Sequence, residues 1–262
     1  MLLVSWNLAG RVKRLPEQAE RLLELDADVL CLQELTRTTI PIWRDLLETA
    51  GYAGIAHGDL STTTRTRPLA VLTATRSSLH AVLVDDVPWA ERVLAVHMSD
   101  GTEVVNMHSP ISPKPGLAKV RTHEAVHRHM ANHPADHARL LCGDLNTPRK
   151  EHSDGTLWTF ARDRYGRLRP ERGERWDQAE RALIRDLEPF GYRDAFRLLH
   201  PHDLNELSWE WARWGGGYRL DHLIVSPGVE VATCHYQHRW REDGLSDHSA
   251  LIARLSRLGR QD

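Results

Sequence analysis

The tetrapeptide Gly143-Asp144-Leu145-Asn146 places an acid and an amide directly after a short apolar run, Leu140-Leu141-Cys142. The apolar run predicts a buried strand. Because side chains alternate along a strand, Asp144 and Asn146 are expected to project to the same side at its carboxyl end. An acid accepts a proton and an amide orients a phosphate or a water molecule, so the pair predicts hydrolysis of one ligand. Taken alone, the same four residues also form turns.

Other predicted strands carry polar residues at the same kind of position. Five further apolar runs begin or end in Asn, Asp, Glu or His, and they are spread over the whole chain. The segments are Ser5-Trp6-Asn7, Gln33-Glu34, Asn106-Met107-His108-Ser109, Arg219-Leu220-Asp221-His222 and Ser246-Asp247-His248-Ser249. The six motifs together are a more specific signal of function than any one of them.

The order of these motifs, from Asn7 to His248, resembles that of the endonuclease/exonuclease/phosphatase superfamily of metal-dependent phosphoesterases. The mixed order of strands and helices itself favours two sheets packed face to face and covered by helices. The resemblance implies an α/β fold of one specific kind, the four-layer α/β/β/α sandwich. The motifs span nearly the whole chain, so residues 1–262 are expected to form a single domain.

Hydrolysis of a phosphodiester needs a metal to neutralise charge, a base for water and donors for the transition state. The resemblance implies that Glu34 is the principal metal ligand and that Asn7 and Asp247 assist it. Carboxylate and amide oxygens suit Mg²⁺ or Mn²⁺, which are the expected cofactors. By the same resemblance, Asp144 is the base and Asn146 orients water or phosphate.

Three further catalytic roles are implied for residues at strand ends. His248 would donate to the phosphoryl oxygens, and Asp221 would hold its ring and favour the imidazolium. His108-Ser109 resembles the His-Ser of the deoxyribonuclease branch, whereas the exonuclease III branch usually carries Tyr. In deoxyribonucleases an earlier Glu orients this His, and the segment Arg65-Thr66-Arg67-Pro68-Leu69 contains none. His108 is therefore either the general acid for the leaving oxygen or a plain phosphate donor.

An aromatic segment precedes Asp221 and resembles the Trp-bearing loop of the exonuclease III branch. Trp211, Trp214 and Tyr218 are predicted to stack against substrate, beside a turn that three glycines make adaptable. The neighbouring Trp209 either joins this wall or packs under the sheet edge. Arg149, three residues after Asn146, is also predicted to contact substrate.

Two segments make predictions that do not come from the resemblance. His123-Glu124-Ala125-Val126-His127 matches the His-Glu-x-x-His pattern of zinc proteases on a predicted helix, although the chain has 16 His in all. The stretch 149–176 is polar and predicts irregular structure, followed by a helix near 178–189. Asp100-Gly101 predicts a hairpin turn between two strands.

Composition restricts the remaining possibilities. The formal net charge of −2 provides no global basic field. The three Cys are far apart, which favours buried thiols in a reducing compartment over a disulfide framework. No apolar run approaches the roughly 20 residues of a membrane helix. We therefore expect a cytoplasmic protein, with a monomer as the default state.

The sequence predicts a Mg²⁺- or Mn²⁺-dependent phosphodiester hydrolase, and specifically a nuclease acting on DNA or RNA. The alternative enzyme is a phosphatase or phospholipase that acts on a small or lipid phosphate ester. A phosphate-binding module without catalysis would have replaced some of the motif acids, and all of them are present.

Overall fold

Two six-stranded mixed sheets form the centre of the computed structural model, which describes residues 1–61, 63–111, 116–132, 137–211, 213 and 215–257. Strands are numbered in chain order. From edge to edge, the first sheet contains β15 (Val229–Gln237), β16 (Ala250–Arg257), β1 (Leu2–Asn7), β2 (Val29–Leu35), β4 (Ala70–Thr75) and β3 (Gly54–His57). The second contains β11 (Arg193–Asp194), β14 (Asp221–Val225), β8 (Arg139–Asp144), β7 (Glu103–His108), β6 (Val93–Met98) and β5 (Leu79–Val82).

Helices and two short ribbons complete the described structure. The ribbons pair β9 (Lys150–Glu151) with β10 (Leu157–Trp158), and β12 (Trp209–Glu210) with β13 (Gly217–Tyr218). The α-helices are α1 (Leu15–Glu24), α2 (Thr39–Thr49), α3 (Ala118–Ala131), α4 (Gly173–Ala182), α5 (Ala195–Leu199) and α6 (His238–Glu242). Two 3₁₀ turns cover Ala90–Arg92 and Glu188–Phe190.

Three apolar layers separate the sheets and helices, and side-chain alternation assigns residues to them. In β1, Val4 and Trp6 pack on one side with Leu22 of α1 and Trp43 of α2. Leu3, between them in sequence, points to the other side and packs with residues of both sheets. A third cluster, which includes Met107 of β7, Leu141 of β8 and Val126 of α3, covers the outer face of the second sheet. The predicted four-layer α/β/β/α sandwich is confirmed.

The directions of the strands bring the predicted polar residues together where the strands end, on one side of each sheet. β1 and β2 are parallel, so Asn7 and Glu34 lie at neighbouring carboxyl ends. β7 and β8 are also parallel, and His108 is the register partner of Asp144. β14 runs antiparallel to β8, which places Asp221 opposite Asp144. The polar strand ends of each sheet therefore converge on one side of the sandwich.

Several local predictions agree with the structure, and one differs. The Asp100-Gly101 turn joins β6 to β7, with Gly101 at φ +80°. The helix expected near 178–189 instead occupies Gly173–Ala182, and its missed first part buries Trp176 and the charged Asp177. Apolar periodicity does not detect a face that contains a buried charge.

All three Cys are free and buried. Within the described ranges, no helix is both long enough and apolar enough to cross a membrane.

A buried ionic network ties the β9 ribbon to the second sheet. Arg219 donates to both carboxylate oxygens of Glu151, at 2.7 and 2.6 Å, and to Asp194 at 2.7 Å. Arg197 of α5 also donates to Glu151, at 2.6 Å. Burial alone would raise the pKa of Glu151, but the two guanidinium groups outweigh it and lower the pKa to about 2. The network therefore stabilises the fold only while Glu151 is ionised.

We expect Glu151→Gln to lower the free energy of unfolding by about 3 kcal/mol at neutral pH, the equivalent of a pKa shift from 4.5 to about 2. A depressed carboxyl pKa stabilises the fold above the unfolded value near 4.5, and the benefit disappears as the pH falls towards 2. The difference between variant and wild type in urea unfolding should thus shrink over that range. Glu17→Gln, which removes an exposed ion pair with Arg14, is the control. Equal stabilities of Glu151→Gln and wild type at pH 7 would contradict the expectation.

Candidate active site

Asn7 lies between the two carboxylates that end β2 and β8. Its amide nitrogen donates to Asp144 Oδ2 at 3.0 Å and to Glu34 Oε1 at 3.3 Å. Its amide oxygen accepts from the backbone N–H of Ala9 at 2.9 Å, which fixes the orientation of the amide. Asn7 thus holds two acids together by donation. Its predicted role as a metal ligand requires the oxygen that faces Ala9, and that role stays a prediction.

Glu34 is turned towards the active-site edge by its backbone. Its φ is +62°, and the β2–β4 register shifts between Leu32 and Leu35. A bulge of this kind re-aims a side chain. The Glu34 carboxylate borders the cavity with 19% of its side chain exposed. Burial raises its pKa and outweighs the opposite effect of the positive charge on His248.

His248 and Asp221 form a buried pair that faces Asp144. His248 Nδ1 lies 2.8 Å from Asp221 Oδ2, and its Nε2 lies 3.8 Å from Asp144 Oδ2. Burial would lower the pKa of His248, but Asp221 and Asp144 outweigh it and raise the pKa to about 10. Burial raises the pKa of Asp144 to about 7, with a further contribution from the negative Asp221. The geometry places the His248 ring within reach of the Asp144 carboxyl group, and the roles of base and donor stay predictions.

Asn146 is held in a left-handed backbone conformation, at φ +50°. Its backbone N–H donates to Asp144 Oδ1 at 2.9 Å, and its side-chain amide donates to the carbonyl of Ser109 at 2.8 Å. The two polar residues of the Gly-Asp-Leu-Asn motif are thus connected directly, and both line the cavity.

His108 is fully buried, and Arg92 lies against its ring. Arg92 Nη1 is 3.2 Å from both ring nitrogens, and His108 Nε2 is 3.4 Å from Glu34 Oε1. Burial, followed by the charges of Arg92 and His248, lowers the pKa of His108 well below its usual range. A neutral ring favours the phosphate-donor role over the general-acid role. Sequence patterns did not single out Arg92, which ends the 3₁₀ turn Ala90–Arg92 directly before β6.

A cavity of about 380 Å³ opens beside these groups. Trp209 donates to Asp247 Oδ2 at 3.1 Å and stacks on Tyr218 with ring centroids 6.0 Å apart. Phe160, from the stretch expected to be irregular, meets Tyr218 edge-on at 5.0 Å. The residues around the cavity are Glu34, Ile111, Lys119, Asp144, Asn146, Phe160, Arg172, Trp209, Trp211, Tyr218, Leu220, Asp247 and His248.

The substrate-binding predictions therefore divide. Trp211 and Tyr218 border the cavity, and Trp211 is 47% exposed. Trp214 lies outside the described residues. Arg149 donates to the carbonyl of Arg162 at 3.1 Å and borders a neighbouring cleft instead. Its predicted contact with substrate has no support from this position.

The His-Glu-x-x-His segment does not assemble a zinc site. His123 is fully buried, and its ring nitrogens bond Ser109 Oγ at 2.7 Å and the carbonyl of Ala179 at 3.1 Å. Glu124 forms an ion pair with Arg175, at 2.7 Å, on the exposed side of α3. The motif is a structural part of the helix, and the protease alternative is wrong.

The donor set fits a hard divalent cation. Among the described residues, Asp144, Asp221 and His248 bring ligand atoms within 4.8 Å of one another. Asp221 Oδ1 is buried and has no hydrogen-bond partner in the described structure. Asp144 and Asp221 supply the oxygen atoms of this group. Glu34, Asp144 and Asp247 all face the cavity and offer the oxygens that Mg²⁺ or Mn²⁺ prefers.

The chain belongs to the Endonuclease/Exonuclease/phosphatase family, whose sequence pattern matches residues 4–248. No curated protein sequence matches the chain. Its fold is similar to an AP endonuclease from Archaeoglobus fulgidus, with a TM-score of 0.73 and 17% identity over 98% of this chain and 99% of the other. It is similar to the 3′ phosphatase NExo from Neisseria bound to a product DNA hairpin (TM-score 0.65, 23% identity, 98% and 99% covered). It is also similar to humanized D. rerio TDP2 (TM-score 0.65, 15% identity, 98% of each chain).

We expect His248 in metal-free protein to keep an imidazolium well above its ordinary pKa of 6.5, with loss of the proton near pH 10. Asp221→Asn removes the carboxylate that accepts from Nδ1, so the pKa should fall substantially. Both values can be read from ring ¹⁵N shifts in EDTA. A His248 signal that titrates near pH 6.5 in the wild type would contradict the assigned charge.

Proposed function

We propose that this chain is a metal-dependent phosphodiester hydrolase that acts on a polynucleotide. The observation that carries the proposal is the convergence of Glu34, Asp144 and Asp247 with the His248 imidazolium on one aromatic-lined cavity. Carboxylates for a hard cation, a base and a cationic donor are the groups that water attack on phosphorus requires. The family pattern supports the same class of reaction.

Each polar residue has a part in the proposed reaction. A divalent cation held by Glu34 and Asp247 would neutralise phosphate charge. Asp144 takes the proton of the attacking water as the new P–O bond forms. His248, kept charged by Asp221, donates to a phosphoryl oxygen while the bond to the leaving oxygen breaks. Asn146 presents an amide beside Asp144 that orients water or phosphate.

The surroundings of the cavity favour a polynucleotide as the substrate. Phe160, Tyr218 and Trp211 provide ring surfaces against which bases stack. Exposed cations lie on loops at the same edge of the first sheet. They are Arg11 and Lys13 after β1, Arg37 after β2 and Arg67 before β4. Such residues contact a phosphate backbone even though the whole chain carries a net charge of −2.

Several finer predictions are kept as proposals. They are Mg²⁺ or Mn²⁺ as the cation, a monomeric single domain over residues 1–262, and a cytoplasmic location, which the three buried free thiols favour. The choice between a nuclease and a phosphatase or phospholipase is tested with a substrate panel. Duplex, single-stranded and abasic DNA, RNA, inositol phosphates and sphingomyelin would each be assayed with Mg²⁺, Mn²⁺ or EDTA. Turnover of the lipid or inositol esters alone would exclude the polynucleotide proposal.

We expect EDTA to abolish turnover and Mg²⁺ or Mn²⁺ to restore it, because the donor set consists of hard oxygens. Glu34→Gln keeps the shape but removes the charge, so turnover at saturating Mg²⁺ should fall by at least about 10²-fold. Glu20→Gln changes an exposed acid of α1 away from the edge and is the matched control. Full activity in EDTA, or a normal rate for Glu34→Gln, would refute the metal role.

We expect Trp211→Ala to raise KM for single-stranded DNA and to spare a small chromogenic phosphodiester. If a base stacks on this ring, its loss costs about 1–3 kcal/mol of binding. Phe190→Ala is the control, because Phe190 is similarly exposed but follows α4, outside the lining of the cavity. Equal losses on both substrates together with a lower melting temperature would show that Trp211 is a packing residue.

A further inference from the structure

Glu180 is a buried carboxylate at which the active-site loop and two helices meet. Its Oε1 accepts from Lys119 Nζ at 2.7 Å and from Trp176 Nε1 at 2.6 Å. Its Oε2 accepts from the backbone N–H of Phe160 at 2.7 Å and from Thr147 Oγ1 at 3.3 Å. The residue is 1% exposed. Four donors on a buried carboxylate fix its position and, through it, the positions of the donors.

Lys119 connects this carboxylate to the predicted site. Its ammonium group donates to the carbonyl of Asn146 at 2.7 Å, and it lies 5.3 Å from the centre of the Phe160 ring. Only 3% of Lys119 is exposed, although the side chain borders the cavity. A buried ammonium requires a partner charge, and Glu180 provides it. The ion pair therefore supports one polar residue and one aromatic residue of the cavity together.

Asn146 has a backbone conformation that few non-glycine residues adopt, with φ at +50°. Asn tolerates this region better than most residues, and its hydrogen-bond partners fix where its amide points. Three polar groups of Asn146 form hydrogen bonds to three different residues, which anchor it. The backbone N–H donates to Asp144, the side-chain amide donates to the carbonyl of Ser109, and the backbone carbonyl accepts from Lys119. Of these anchors, Lys119 alone comes from a helix rather than from the sheet edge.

We propose that the Lys119–Glu180 ion pair is a positioning element for phosphoester hydrolysis, which sets Asn146 for the reacting phosphate and holds Phe160 as a wall of the cavity. Neither residue is assigned to the chemical step. The inference rests on the proposed function, because the effect on rate arises through Asn146. It makes the α3–α4 helix pair, and not the sheets alone, responsible for the geometry beside Asp144.

The test separates positioning from stability by removing both charges. Lys119→Met or Glu180→Met alone leaves an uncompensated buried charge and should lower the melting temperature. The double variant leaves no buried charge, but it leaves the Phe160 N–H and the Trp176 Nε1–H without their acceptor. We expect it to regain part of the melting temperature that the single variants lose. Its kcat on single-stranded DNA should remain about 10–100-fold low with KM little changed, as for loss of a supporting partner.

Glu180→Gln keeps the side-chain volume and provides a second test if the double variant does not fold. A fall in kcat with KM little changed is expected again. Glu124→Gln is the matched control, since it breaks an exposed ion pair with Arg175 between the same two helices. It should leave kcat and KM at wild-type values.

Wild-type kcat in the folded double variant, or in Glu180→Gln, would overturn the proposal. A rise in KM with unchanged kcat would also overturn it, because Lys119 would then bind substrate directly. A wild-type protein that hydrolyses none of the phosphoesters would refute the proposed function instead. The two failures are therefore distinguishable in the same set of assays.

Discussion

Carboxylates that share a buried edge repel one another, and burial makes each of them harder to ionise. Asp144 lies opposite Asp221 and near Glu34. Burial and the negative charge of these neighbours raise its pKa to about 7. The protein offsets the repulsion with the amide of Asn7 and the imidazolium of His248. The remaining deficit of positive charge is what a divalent cation would supply. Much of the surrounding structure serves to keep these acids together.

The sandwich keeps them together by fixing one sheet against the other. Directly beneath the site, Gln33 of β2 donates to Asn106 of β7 at 2.8 Å, and Asn106 donates in turn to the carbonyl of Leu72 at 2.9 Å. These groups are buried, and they lie beside the apolar cluster between the two sheets. Polar bonds inside such a layer are satisfied in only one relative position of the sheets. The same position brings Glu34 of one sheet to His108 of the other.

Outside the sheets, side chains of the connecting segments and helices complete the site. The structural relatives are 15–23% identical and share the fold over nearly their whole length. Local features of the site come from segments between the strands. Phe160 and Arg92 reach the site from such segments, and Lys119 and Glu180 support it from α3 and α4. The sheets thus supply the acids, and the connecting segments supply charge balance and shape.

Local sequence determined most strands of the two sheets, though not β3. It also determined the hairpin at Asp100-Gly101 and the polar residues at the strand ends, because period-two alternation and turn chemistry depend on near neighbours. The order of the motifs was sufficient for the family and the sandwich. Tertiary structure decided the rest. Burial and the charge of Arg92, 16 residues away, lower the pKa of His108, and Lys119 meets Glu180 across 61 residues. The start of α4 was mispredicted for the same reason, since the sequence gives no sign that Asp177 is buried against Thr159 and Arg162. Charge state and hydrogen-bond partner depend on burial and on groups distant in sequence, and periodicity carries no information about either.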